Sequence, residues 1–232
     1  MPSRSRPREV VPIEIPTGRI TAIMPSPRAV GQFDLIIDGE PVARLSIDGI
    51  ERLRLRVGLD VGESLAGSIS SEAEVTRSYG RAIAMLAVRG RASGELRRLL
   101  VQKGEAVARV DEAIARLQAA GFLDDAAFAR QFTRYRAVTG GLSRRRIERE
   151  LWRRGIDRAT AAAAIEQTFV EEGVDEAAAI EQVAERKFRT MAQFDVQTKR
   201  RRLYSFLARR GYDVDAIGQV VRRLTKEGGN RV

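Results

Sequence analysis

A helical pattern that recurs three times, at intervals of about 50 residues, constrains this chain more than any other feature. Its clearest marks are Gly104, Gly155 and Gly211, spaced 51 and 56 residues apart and each preceded by a basic residue, in QKG, RRG and RRG. Such a pair suits a helix C-terminus, where a cation complements the exposed carbonyls and glycine adopts the left-handed conformation without a Cβ penalty. Four and eight residues before each glycine stand Leu100 and Leu96, Leu151 and Ile147, Leu207 and Leu203; ten residues after them stand Ile114, Ile165 and Val221. Upstream lie the stripes Tyr79/Ile83/Leu86, Phe128/Phe132/Tyr135 and Ala184/Phe188/Met191. Each unit reads as three helices, too small to be robust alone and so packed against a neighbour. The expected fold is mainly α: three tandem three-helix repeats over residues 68–121, 122–173 and 174–228, in an elongated array. An array of this kind offers a long surface rather than one deep pocket, which favours binding over catalysis.

The texture differs upstream. Residues 1–17 carry prolines and arginines without apolar period and read as a flexible basic arm. Residues 18–67 read as a small antiparallel β-domain. Ile20 and Ile23 lie in a short run ended by Pro25, and Phe33, Leu35 and Ile37 alternate as in a half-buried strand. Asp38-Gly39 is a hairpin signal, because a type I′ turn needs positive φ at both central residues. Val42, Leu45 and Ile47 follow; Asp48-Gly49 offers a second turn, after which Leu53, Leu55 and Val57 alternate with arginines.

Charge and composition narrow the function. The chain has 232 residues, a formal net charge of +10, and neither cysteine nor histidine. Disulfides, thiolate or imidazole metal sites, and Ser-His or Cys-His catalysis are therefore excluded. No apolar run reaches the roughly 18 residues of a membrane span, and the N-terminus shows no signal-peptide core. A cytoplasmic protein without membrane contact is expected. Residues 1–78 hold 10 basic and 11 acidic side chains, and residues 79–232 hold 31 and 20, so the excess positive charge belongs to the helical repeats. A polyanion, nucleic acid or an acidic protein surface, is the implied partner. A merely solvated basic surface is the plainer reading, and the excess of 37 Arg over 4 Lys can reflect genomic base composition.

The sharpest segment is SRRRIERELWRR, residues 143–154, with Ser143 placed as N-cap. At about 100° per residue, Ile147 and Leu151 form the buried stripe. Arg145, Arg146, Arg149 and Arg153 form one band facing away, bordered by Trp152. Guanidiniums beside an indole can grip phosphates and stack on bases; the alternative is a solvated face with Trp152 packed on the next module. The third repeat follows the same logic, with Arg201, Arg202 and Arg209 outward of Leu203/Leu207 and Tyr204 on a flank. In the first repeat the band thins to Arg97 and Arg98, with Lys103.

Other candidates for chemistry have structural readings. In GFLDDAAFA, Gly121 ends a helix, Phe122 folds back as its hydrophobic contact and an aspartate of the Asp124/Asp125 pair caps the next helix. Glu185-Arg186-Lys187 matches a nuclease fragment but lies mid-helix without a companion acidic strand. Neither GxxxxGK nor GxGxxG occurs. No catalytic, cofactor-binding or metal residue is assigned, and no enzyme activity is expected.

The helical region resembles RecX, the family of regulatory proteins of the RecA recombinase. The resemblance rests on RAIAMLAVRGRASGELRRLLVQKG (81–104), GFLDDAAFARQF (121–132), LSRRRIERELWRRGI (142–156) and KRRRLYSFLARRGYD (199–213), in the family's order and spacing. The strands GRITAI, FDLIIDGE and LDVGESL resemble the extra β-domain of longer relatives. The resemblance implies a non-enzymatic modulator that binds RecA filaments in their groove and suppresses ATPase, strand-exchange and coprotease activities. Single- and double-stranded DNA are implied as weaker, phosphate-based partners, and a monomer is expected. A stand-alone DNA-binding protein built from helix-turn-helix-like modules is the alternative.

Overall fold

The computed structural model describes residues 12–227, and the chain divides into two compact units between Leu123 and Asp124. Residues 1–11 of the expected arm lie outside the described residues.

In the first unit, strands β1 (Gly18–Pro25), β2 (Gln32–Ile37) and β3 (Glu40–Ser46) form an antiparallel sheet. The two-residue β4 (Asp60–Val61) pairs with β1 and completes the order β3-β2-β1-β4. Leu35 and Ile37 alternate into the core with Ile20 and Leu45, as the period predicts. Asp38 and Gly39 take φ of 48° and 88°, the tight turn expected between β2 and β3. Ile13 and Ile15, assigned by sequence to the arm, pack against this core, and Ser70 donates a 2.5 Å hydrogen bond to the Ile13 carbonyl. The stretch from Pro12 to Thr17 is thus tied to the sheet.

Asp48-Gly49 is not a turn. Ser46 accepts from the Gly49 amide at 3.1 Å and starts a short helix, α1 (Ile47–Arg52). Leu53, Leu55 and Val57 form no strand; the chain leaves α1 through Arg54 at φ 50°. Helix α2 (Glu63–Val88) begins before the expected repeat boundary at residues 67 and 68 and runs through it. Its first half adds Ala66, Ile69 and Ala73 to the sheet core. Its second half packs Ala82, with Tyr79, Ile83 and Leu86, against α3 (Ser93–Gln102) and α4 (Val107–Ala119) around Leu96, Leu100, Val110 and Leu117. Sheet and first repeat therefore share one helix.

Buried carboxylates fasten that helix. Glu72 accepts from Arg52 of α1 at 2.7 Å and from Arg116 of α4 at 2.5 and 2.9 Å. Glu105 accepts from Ser78 at 3.0 Å and pairs with Arg81. Burying such charges is tolerable because their oxygens are taken by donors. At the end of α4, Gly121 adopts φ 74°, but the residue that folds back is Leu123, 5% exposed, while Phe122 stays 59% exposed. The helix-ending contact is displaced by one residue from its expected place.

The second unit contains α5 (Asp125–Arg134), a π turn (Tyr135–Thr139), α6 (Arg144–Arg153), α7 (Arg158–Glu171), α8 (Glu176–Arg189), α9 (Val196–Arg209) and α10 (Val214–Glu227). Carboxylates and a hydroxyl cap these helices: Asp124 accepts from the Ala127 amide at 2.8 Å, Ser143 from Arg146 at 3.2 Å and Asp195 from Thr198 at 2.9 Å. The π turn widens the backbone after α5, and Tyr135, expected in the buried stripe, is 60% exposed. Around α9, Leu203 and Leu207 meet Ile180, Ala184, Ile217, Val221 and Leu224.

The two repeats of this unit join at a backbone-to-backbone seam. The Ser143 amide, just before α6, donates to the Arg210 carbonyl at 3.1 Å. Tyr212, buried in the turn after α9, donates its hydroxyl to the Gly141 carbonyl at 3.1 Å. Between them Gly211, at φ 88°, lies so close to α6 that a Cβ there would stand 2.6 Å from both the Arg146 Cβ and the Ser143 hydroxyl.

Two outcomes follow from that seam. Gly211→Ala meets a left-handed backbone and occupied space, and should cost about 1–3 kcal/mol, read as a lower urea midpoint at unchanged slope. Burial pushes the Tyr212 phenol up to about 12 from its ordinary value of 10.0. The folded state therefore keeps a proton that the unfolded chain releases, so stability is intact below pH 10 and declines as pH rises from about 10 to 12. The alkaline fall in melting temperature should be shallower in Tyr212→Phe than in the parent.

Candidate interaction face

Among the described residues the arginines fall into two populations. Most are neutralised within the fold: Arg44 by Asp34, Arg109 by Glu74, Arg134 by Glu172, Arg223 by Glu181 and Glu185. Arg145 and Arg149 of α6, and Arg201, Arg202 and Arg209 of α9, are exposed and form no ion pair with any described carboxylate. Helix phase places them so, because Ile147 and Leu151, and Leu203 and Leu207, are fully buried on the opposite sides. Fixed positive charge without an internal counter-ion is what a partner's anions can neutralise.

Helix α6 keeps most of its expected band. Arg145, Arg149 and Arg153 are exposed. Arg146 departs from it: its guanidinium pairs with Glu150 at 3.0 Å, and its Cβ backs the turn at Gly211. Arg146 serves the seam between repeats, and the outward band is correspondingly narrower. Trp152 does not pack into a neighbouring module; it is 72% exposed. With Glu148, Arg149, Ile156, Arg158 and Ala161 it lines a groove of about 310 Å³, in which Glu148 lies 3.9 Å from Arg158.

On α9, Arg201, Arg202 and Arg209 come together along a second groove with Lys187 of α8. The Arg202 guanidinium lies 3.8 Å from the centre of the Phe194 ring, and Tyr204 is partly exposed on the flank. Behind this face Arg210 rests 4.1 Å over Phe206. Its guanidinium is held below the ordinary value by burial, with the charges of Arg186 and Arg209 adding to the effect. Sequence phase did not reveal this layer of cations on rings, which also includes Lys187 over Phe206 and Lys199 over Phe188. The recurrence of phenylalanine beside the basic stretches was the available signal.

In the first repeat Arg97 is held by Asp111 in a two-pronged pair at 2.6 and 3.1 Å. That contact raises the guanidinium's affinity for its proton and lowers that of the carboxyl. Arg98 is exposed on the same helix. These two residues belong to the first unit, and the α6 and α9 sets to the second.

Among the described residues no group of three or more Asp and Glu side chains could hold a metal ion. Asp124 is spent on a cap, and Glu185 pairs with Arg223 and Arg189. No described helix is long and apolar enough to cross a membrane.

Comparison with known proteins agrees with this architecture. Residues 124–165 match the second three-helix domain of RecX and residues 175–221 the third. The regulatory protein RecX of Amycolatopsis mediterranei is 37% identical over 145 residues, covering 62% of this chain and 81% of that protein. That of Pseudomonas entomophila is 35% identical, covering 60% and 86%. A crystal structure of regulatory protein RecX superposes with a TM-score of 0.69 at 18% identity, over 87% of this chain and 98% of the other, and supports the fold. A chain with these two domains in order, and with such identity over most of its relatives' length, belongs to the RecX family of regulatory proteins.

Proposed function

We propose that this chain is a cytoplasmic, monomeric regulator that binds RecA–DNA filaments and lowers RecA's ATPase, strand-exchange and coprotease activities. The observation that carries the reading is that Arg145 and Arg149 on α6, and Arg201, Arg202 and Arg209 on α9, are exposed and form no ion pair with a described carboxylate. A filament of protein on DNA presents phosphates and carboxylates along its length, which these faces complement. Family membership supplies the regulatory role. Arg145, Arg149 and Arg153 form the principal contact, Trp152 stacks at its edge, and Arg201, Arg202, Arg209 and Tyr204 extend it onto α9. Arg97 and Arg98 contribute less, since Arg97 must first leave Asp111. Bare single- and double-stranded DNA are weaker partners, held through phosphates.

The test is RecA's single-stranded-DNA-dependent ATP hydrolysis, with this protein titrated below RecA's concentration. The parent should inhibit, and Arg145→Ala/Arg149→Ala/Arg153→Ala, which leaves the Arg146 seam untouched, should need at least tenfold more protein for the same effect. Undiminished inhibition by a folded triple variant would remove α6 from the interface. Absence of inhibition at any ratio, with tight binding to bare duplex DNA at physiological salt, would identify a stand-alone DNA-binding protein instead.

A further inference from the structure

The groove between α8 and α9 differs from the α6 face in a way that suggests a separate ligand. Its volume is about 530 Å³, within the range that receives nucleotide-sized molecules. Lys187 enters from α8 and Arg201, Arg202 and Arg209 from α9, and no carboxylate lines it. The α6 arginines line one helix face, whereas these cations converge from two helices on one space. Arg201 and Arg209 start about 12 Å apart along the axis, and their long side chains both reach the same groove.

The nearby acidic groups are already committed elsewhere. Glu181 and Glu185 of α8 pair with Arg223 of α10, and Glu185 also approaches Arg189 at 3.7 Å. The cations, by contrast, are held in place without being neutralised. Arg202 lies 3.8 Å from the Phe194 ring centre and Lys187 5.5 Å from that of Phe206. A ring holds a cation through its quadrupole but removes none of its charge. Cations positioned in advance lose less side-chain entropy when an anion arrives.

We propose that this groove binds a compact chain of linked phosphate groups, such as the triphosphate of a free nucleotide. The ligand's oxygens are taken by Lys187, Arg201 and Arg209, with Arg202 closing one side from its place on Phe194. The site is distinct in ligand from the filament-binding reading, although it uses three of the same arginines.

The full-length protein would be titrated calorimetrically with inorganic tripolyphosphate and with ATP at about 0.15 M salt, where surface charge is screened over about 8 Å, and without RecA. One site per chain is expected, weakened at least tenfold in Arg201→Ala/Arg209→Ala. Arg28→Ala/Arg56→Ala, which removes the same charge from exposed positions in the first unit, should bind like the parent. Ser205→Glu, which sets a carboxylate in the groove lining, should abolish binding without removing any cation. Failure of both phosphates to bind, or equal weakening in the two double variants, would overturn the site. Binding of an oligothymidylate with no response to tripolyphosphate or ATP would overturn it too, assigning the groove to a nucleic-acid strand. Because RecA is absent, these outcomes do not depend on the filament reading.

Discussion

The close approach of the Gly211 turn to the start of α6 is the constraint on which the second unit depends. Two backbone carbonyls, Arg210 and Gly141, are satisfied across it, one by the Ser143 amide and one by the Tyr212 hydroxyl. A buried carbonyl left without a donor costs about 1–3 kcal/mol, so the two contacts position the turn as well as hold it. The absence of a side chain at Gly211 lets the backbone sit against Arg146. The helix that ends at this turn, α9, and the helix that begins beneath it, α6, carry the unneutralised arginines. Their mutual placement is therefore fixed by uncharged contacts, leaving the charges for other uses.

The same economy explains which arginines are available. The first unit spends several of its cations internally, with Arg52 and Arg116 on Glu72, and Arg77 and Arg81 on Glu105. Those pairs tie α1 and α4 to the long helix α2, which serves the sheet at one end and the repeat at the other. Single-partner loss would strand a buried charge, so these arginines are unsuited to a partner's surface. Around α9 and the end of α8 the choice is reversed. Aromatic rings take the place of carboxylates beside Lys187, Lys199, Arg202 and Arg210.

Much of this was legible in the sequence because helix ends and helix phase are local. Ser143 and Asp124 cap as their side chains predict, and the buried leucines of α6 and α9 lie where their spacing places them. What was not legible depends on contacts made at long range. Asp48-Gly49 has turn chemistry, yet Ser46 starts a helix there and Gly49 lets α1 back onto Glu72. Arg146 has an outward phase, yet the seam with Gly211 takes it. Tyr135 has an inward phase, yet the π turn rotates it to the surface. Trp152 stood equally for core and surface in the sequence; its 72% exposure places it among the arginines.

The outward side of α6 is proposed above as the surface that meets the RecA–DNA filament. Hydroxyl-radical footprinting tests it most directly, because Trp152 is the chain's single tryptophan and a reactive, exposed reporter on that side. Trp152 should lose reactivity when RecA filaments on single-stranded DNA are added, while Met24, half-exposed on β1, keeps its own. Unchanged reactivity at Trp152 with protection of Met24 would contradict the claim and move the interface to the sheet.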